Sequence, residues 1–178
     1  MMSSLRFAAL LALLPLATHS AEPATEASKE VLSGQEIERA LQPQITRGFV
    51  PRGLTRRGTS DAGQSVNLNV PFQHNSSALQ PQASAQLEQL QLALNSATLG
   101  KDRFQVAGHT DAKGSAAYNK QLSLRRAETV KKFLVAKGLD AGRLETVGYG
   151  SEKLLAPDHP DDPRNRRVEI RDLGRTTP

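Results

Sequence analysis

The chain has 178 residues, a net charge of +5 and no cysteine. That length holds one ordinary domain with extensions rather than two domains, and the lack of cysteine excludes a disulfide framework, a thiolate metal site and an acylated cysteine. Aromatic residues make up 4% of the chain and none is Trp, so platforms for stacking nucleic-acid bases are scarce and the basic balance reads as solubility.

Residues 1–21 read as an export signal. Arg6 supplies the positive start, "FAALLALLPLAT" the apolar run, and Thr18, Ser20 and Ala21 the small residues, with cleavage after Ser20 or Ala21. The run is shorter than the roughly 20 residues that span a bilayer. A periplasmic location is expected, where freedom from cysteine avoids unwanted oxidation. Residues 22–65 read as a flexible basic arm. "SGQEIERAL" can form a short helix with Ser33 as N-cap and Glu36 completing a capping box. Beyond it, "QPQITRGFVPRGLTRRGTSDAGQ" is rich in Gly and Pro, and no acidic residue occurs between Arg39 and Asp61. The segment reads as a solvated tether, with an anionic envelope polymer or a partner protein as the alternative occupant.

Order is expected from Val66 to residue 174, followed by a tail at 175–178. "VNLNVPF" alternates Val66, Leu68, Val70 and Phe72 against Asn67 and Asn69, the pattern of a half-buried strand. "ASAQLEQLQLAL" sets Leu87, Leu90 and Leu94 at helical spacing just after Pro81. "RFQVAGH" predicts a second strand, and a long helix follows from about residue 117 to 137, stopped by Gly138. "RLETVGYG" and "RRVEIRDL" predict the third and fourth strands, separated by a loop rich in Pro and Asp. Strands alternating with helices imply crossovers, parallel neighbours and helices packed on the sheet.

Two arginines disturb these patterns. Leu122, Val130, Phe133 and Leu134 share one face of the long helix, and Arg126 falls in its middle while Arg125 lies off it. In the last strand Arg166 has the parity of Val168 and Ile170, and Arg167, Glu169 and Arg171 alternate outward. A charge left unpaired on a buried stripe costs roughly 3–5 kcal/mol, so each inward arginine needs a route to solvent, a structural carboxylate or a ligand. Asp111, at the end of the second strand in "GHTDAKG", is the candidate carboxylate, and Asn119 lies on the inner helix face near Arg126. Asp111, Asn119, Arg126 and Arg166 around one pocket would present both signs of charge. Such a pocket suits a zwitterion, with the carboxylate on an ammonium and a guanidinium forked onto a carboxylate.

The motifs T-D-x-x-G, Y-N-x-x-L-S-x-x-R-A and N-R-R-V-E-I occur in order between about Val66 and Leu173. In these the chain resembles the OmpA-like peptidoglycan-binding domain shared by OmpA C-terminal regions, Pal and MotB-type stator proteins, here without the OmpA β-barrel. The resemblance implies an α/β (α+β) βαβαββ sandwich with a mixed sheet and helices on one face. It also implies non-covalent binding of the diaminopimelate residue of peptidoglycan stem peptides, at the cell wall and in association with the outer membrane. Asp111 and Arg126 then grip the amino acid head group, and Thr110, Asn119, Leu122 and Arg166 line or support the site. Asn75 matches a polar family position, whereas His74 stands where the family has an aromatic.

Other chemistries find less support. His109 and Asp111 form an H-x-D pair, with His74 as a third candidate ligand, but no spaced His or Glu motif completes a metal site. No G-x-S-x-G or comparable nucleophile element occurs. The expectation is a binding protein, not an enzyme, with no cofactor, no metal and no nucleic-acid partner. In the rival reading, a scaffold protein binds another envelope component through residues 22–65 and the domain only localises it.

Overall fold

The computed structural model describes residues 31–42 and 64–175. The expected export signal, the arm at 22–30 and 43–63 and the tail at 176–178 lie outside them. At the centre is a strand whose large apolar side chains are fully enclosed: Phe104 and Val106 of β2 (Asp102–His109) have no solvent exposure. Around it stand β1 (Ser65–Leu68), β3 (Leu144–Gly150) and β4 (Val168–Arg175), with α1 (Gly34–Leu41), α2 (Ala83–Leu94) and α3 (Ala116–Ala136). The four-stranded sheet has the order β1-β4-β2-β3.

The sheet is mixed. β2 and β3, joined by α3, are parallel neighbours, as a helical crossover dictates. β1 and β2 are also joined by a helix, yet they are not neighbours, because β4 inserts between them antiparallel to both. The expectation of parallel neighbours therefore holds for one helix-linked pair and fails for the other. β1 is also shorter than its alternating pattern. Val70 stays buried, but Pro71 has no N–H for a ladder, and pairing resumes only at the isolated bridge between Phe72 and Leu79. The loop enclosed by that bridge forms one wall of the site described below.

Two glycines set how closely α3 approaches the sheet. A Cβ on Gly108 would lie 2.1 Å from the carbonyl oxygen of Ser123, and one on Gly148 would lie 2.5 Å from the Lys120 carbonyl oxygen. Only Gly lets the helix backbone rest directly on β2 and β3. Ser123 fastens the contact: its Oγ accepts from Gly150 N at 2.9 Å and donates to Lys120 O at 2.8 Å. The long helix ends as its sequence indicates, with Gly138 at φ +94°.

The core joins Leu87, Leu90 and Leu94 of α2 to Val130 and Leu134 of α3 and to Val168 and Ile170 of β4. Each fully buried side chain of this size contributes about 1.5–3 kcal/mol. Arg143 closes the far end of α2, donating to the carbonyls of Leu94, Leu99 and Asp102 at 2.7–2.9 Å.

Two expectations need correction. The capping box forms, with Ser33 Oγ accepting from Glu36 N and Glu36 Oε2 accepting from Ser33 N, but the helix it starts is no part of a free tether. Ile37 and Leu41 have no solvent exposure and belong to the core cluster. Gln86 clamps the backbone of Leu32 at both its N–H and its carbonyl, and Gln89 Oε1 accepts from Gly34 N at 2.9 Å. The packed body thus includes α1, which a boundary at Val66 leaves out. The second correction concerns β4, which starts at Val168; Arg166 precedes it, as the residue closing the 3-10 turn Pro163–Asn165. Glu169, expected to point outward, is 7% exposed.

Candidate functional site

Asp111 is delivered by the end of β2. Thr110 N donates to Gly150 O and Ala112 N to Pro160 O, so the chain leaves the sheet pinned on two sides. Asn119, in the first turns of α3, holds the turn that follows: its Nδ2 donates to Lys113 O at 2.8 Å and to Asp111 O at 3.3 Å. Asn119 is 4% exposed, so its contribution is to fix the backbone that carries Asp111.

The carboxylate of Asp111 meets a guanidinium, and it is that of Arg166. Arg166 Nη1 donates to Asp111 Oδ2 at 2.7 Å, with the Asp111 side chain 12% exposed and that of Arg166 46% exposed. Arg126 takes a different position. Its Nε donates to Ser76 O at 2.9 Å, and its guanidinium lies 5.0 Å from the centre of the Phe72 ring. Among the described residues no carboxylate pairs with it, and its Nη groups make no hydrogen bond. Burial, and then the neighbouring charge of Arg166, push its pKa below the usual guanidinium value. A guanidinium remains charged under such a shift, so Arg126 is a half-buried cation with an open fork.

The facing wall is the loop after β1. It is closed by the Phe72–Leu79 bridge and by Gln73 N donating to Ala78 O. Asn75 takes a left-handed backbone, φ +48°, which Asn tolerates better than most residues. That turn presents the Ser76 carbonyl to Arg126 and the Asn75 carbonyl to the Tyr118 hydroxyl, 3.4 Å away.

All seven residues singled out in the sequence, Asn75, Thr110, Asp111, Asn119, Leu122, Arg126 and Arg166, line one cleft of about 690 Å³. His74 lines it as well. Reading the sequence did not single out Phe72, Lys113 or Tyr118 for the cleft. Phe72 was legible only as a strand residue, and Tyr118 was visible as the tyrosine of the Y-N motif. Asp111, the candidate carboxylate for the inward arginines, pairs with Arg166 and, among the described residues, not with Arg126, which leaves Arg126 for something else.

His109 and Asp111 do not act together. The His109 ring is fully buried and its Nε2 lies 3.2 Å from Glu169 Oε2 on β4. Glu169 also accepts from Arg171 Nη2 at 2.9 Å and has Arg167 4.0 Å away. The hydrogen bond from His109, aided by Arg171, holds its pKa down to about 2 against the upward push of burial. This buried charge cluster ties β2 to β4 behind the cleft.

A mixed sheet of this topology, with helices on one face and a two-signed cleft at the end of β2, defines an OmpA-like domain. The OmpA family model matches residues 71–167, more than half of the chain, which belongs to the OmpA family. Its relatives include the peptidoglycan-associated lipoprotein of Pseudomonas putida, 34% identical over 134 residues that cover 74% of this chain and 79% of the relative. The protein of the same name from Pseudomonas aeruginosa is 29% identical over 168 residues, 93% of this chain and 95% of the relative. Among solved structures, the periplasmic domain of Helicobacter pylori MotB (residues 97–256) superposes with a TM-score of 0.56 at 25% identity, covering 64% of this chain and 84% of that one.

Proposed function

We propose that the protein binds peptidoglycan non-covalently and thereby anchors or positions an envelope component at the cell wall, with the diaminopimelate head group of the stem peptide as the recognised element. The observation that carries this reading is the open fork of Arg126 in the same cleft as the Asp111 carboxylate. A free amino acid head group brings one ammonium and one carboxylate on a single carbon. The ammonium can share Asp111 with Arg166, and the carboxylate can take the Nη groups of Arg126, each as a charge-assisted hydrogen bond. Nothing in this arrangement requires a nucleophile, a proton transfer or a metal. Kinship with proteins named for their association with peptidoglycan supports the reading.

The test is an NMR titration of the protein with a muropeptide containing diaminopimelate, alongside the same muropeptide with lysine in that position. Lysine keeps the ammonium and lacks the head-group carboxylate. Shifts at Asp111, Asn119, Arg126 and Arg166 with the first ligand and far weaker ones with the second are expected. Equal response to both would overturn head-group recognition.

A further inference from the structure

A second cleft, of about 440 Å³, lies against the first, and the two share Phe72, Gln80, Arg126 and Arg166. Arg126 and Arg166 therefore form a partition with a space on either side. The two spaces differ in charge. The first contains Asp111; the second is lined by four arginines, Arg126, Arg164, Arg166 and Arg167, and by no carboxylate. Its other lining includes the buried His109, the half-exposed Leu155 and Asn69 just past the end of β1.

The donors facing this basic space are not used up by the protein. Arg167 is engaged with Asn67, Asn165 and Lys153. Arg164 gives Nε and Nη2 to Asp162, which leaves its Nη1 without a hydrogen bond among the described residues. Among the described residues, Arg166 gives only Nη1, to Asp111, and Arg126 gives only Nε, to Ser76. With the Nη groups of Arg126 assigned to the head-group carboxylate, the second cleft still holds guanidinium N–H groups of Arg164 and Arg166 that have no partner among the described residues, next to a volume within the usual range for a small ligand group. Such a surplus, forked and partly desolvated, is complementary to a carboxylate.

We infer that this second cleft is a carboxylate subsite, taking an anionic group that the bound peptide carries outside its head group. The inference rests on the proposed peptide ligand and extends it: the head group occupies the side with Asp111, and the rest of the peptide crosses the Arg126–Arg166 partition into the basic side. A stem tripeptide has two carboxylates of this kind, the α-carboxylate of its γ-linked glutamate and its terminal carboxylate. Both present the same chemistry, and amidating one at a time separates them.

The probes are the N-acetylmuramyl tripeptide with diaminopimelate, its glutamate α-carboxamide and its terminal carboxamide, titrated by calorimetry into the full chain and into the Arg164→Gln variant. Arg164 is exposed and hydrogen-bonds only Asp162 within its own turn, so the variant folds. One amidation is expected to weaken binding to the parent protein about three- to tenfold, the range for a partly screened charged contact. That difference should shrink or vanish in Arg164→Gln. If neither amidation changes the affinity, or if the variant keeps the full difference, the subsite is overturned while head-group binding stands. If the unmodified tripeptide does not bind and Arg126→Ala makes no difference to sacculus binding, the head-group reading itself has failed, and with it this extension.

Discussion

Arg166 bonds Asp111 at 2.7 Å while Arg126, in the same cleft, has no carboxylate partner among the described residues. The two guanidiniums therefore have unequal roles. Replacing Arg126 by Ala removes the open fork and should lower affinity for sacculi ten- to a hundredfold, the equivalent of about 1.5–3 kcal/mol. It also removes the bond to Ser76 and the contact with Phe72, so about 1–2 kcal/mol of stability should go with it. Asp111→Ala should lose binding to a similar extent at less cost in stability, because the arginine it leaves behind reaches solvent. Co-sedimentation with sacculi beside urea unfolding separates the two effects. Undiminished co-sedimentation of either variant would remove these residues from the site.

Asn119 should behave as a positioning residue. Asn119→Ala leaves the carbonyls of Asp111 and Lys113 without their donor, at about 1–3 kcal/mol for buried groups, and frees the turn that aims the carboxylate. A lowered melting temperature is expected together with weaker muropeptide binding. Hydrogen exchange should speed up at the amides from Ala112 to Gly114. A variant that loses stability with affinity intact would show that the turn does not need this brace.

How much of this was legible beforehand depended on the range of the interaction. The helical period alone separated Arg126 from Arg125, because phase along α3 is a local property. The parity argument for Arg166 does not hold, since the residue shares parity with Val168 and Ile170 but stands in a turn, outside β4; the N-R-R-V-E-I motif is the ground that remains for it. Which guanidinium would meet Asp111 depends on how the loops at 110–115 and 160–167 come together across the sheet end, and no local pattern encodes that. Glu169 failed for a related reason. Period two assigns it to the outer face, yet on a central strand that face is covered by His109, Arg167 and Arg171, which arrive from elsewhere or from its own neighbours.

The Glu169 cluster yields a pH prediction. Its pKa is depressed to about 2, so its contribution is present in full above the ordinary carboxylate range and is lost as pH falls through the folded value. Glu169→Gln removes the charge that faces His109, Arg167 and Arg171, and should destabilise the protein by about 2–3 kcal/mol at neutral pH. Between pH 5 and about 2 the stability gap between parent and variant should close. Urea titrations across that range measure it, and a gap independent of pH would show that the carboxylate charge is not what matters.

Gly148 makes the sheet–helix contact testable. Gly148→Ala places a methyl 2.5 Å from the Lys120 carbonyl oxygen and the Leu124 nitrogen, and neither backbone atom can turn aside. The helix must lift, at about 1–3 kcal/mol as for other overpacked sites. Because α3 carries both Asn119 and Arg126, muropeptide affinity should fall along with stability. The same substitution at Gly114, where no atom of the described residues lies within 4 Å but φ is +89°, should cost stability through backbone strain alone. Comparing the two stabilities isolates the cost of moving the helix; Gly114 itself lines the cleft, so its affinity is no control.

The last prediction concerns where the domain begins. A truncation at Val66 would separate a tether from a binding domain only if nothing before it belonged to the core, and Ile37 and Leu41 do. An isolated helix as short as α1 is not stable in water, so it exists because α2 receives it through these two side chains and through the amides of Gln86 and Gln89. Leu41→Ala should therefore cost about 2–5 kcal/mol, less if α1 detaches altogether, since its whole docking energy is the ceiling. Removing residues 1–42 should expose the α2 surface beneath Ile37 and Leu41, lowering the unfolding midpoint, whereas removing only residues 1–30 should not. Sacculus binding by the shorter chain is then informative only at temperatures where its own melting curve shows it folded. Identical midpoints for the two truncations would mean that α1 adds nothing to the domain, and that the arm begins at Val66 after all.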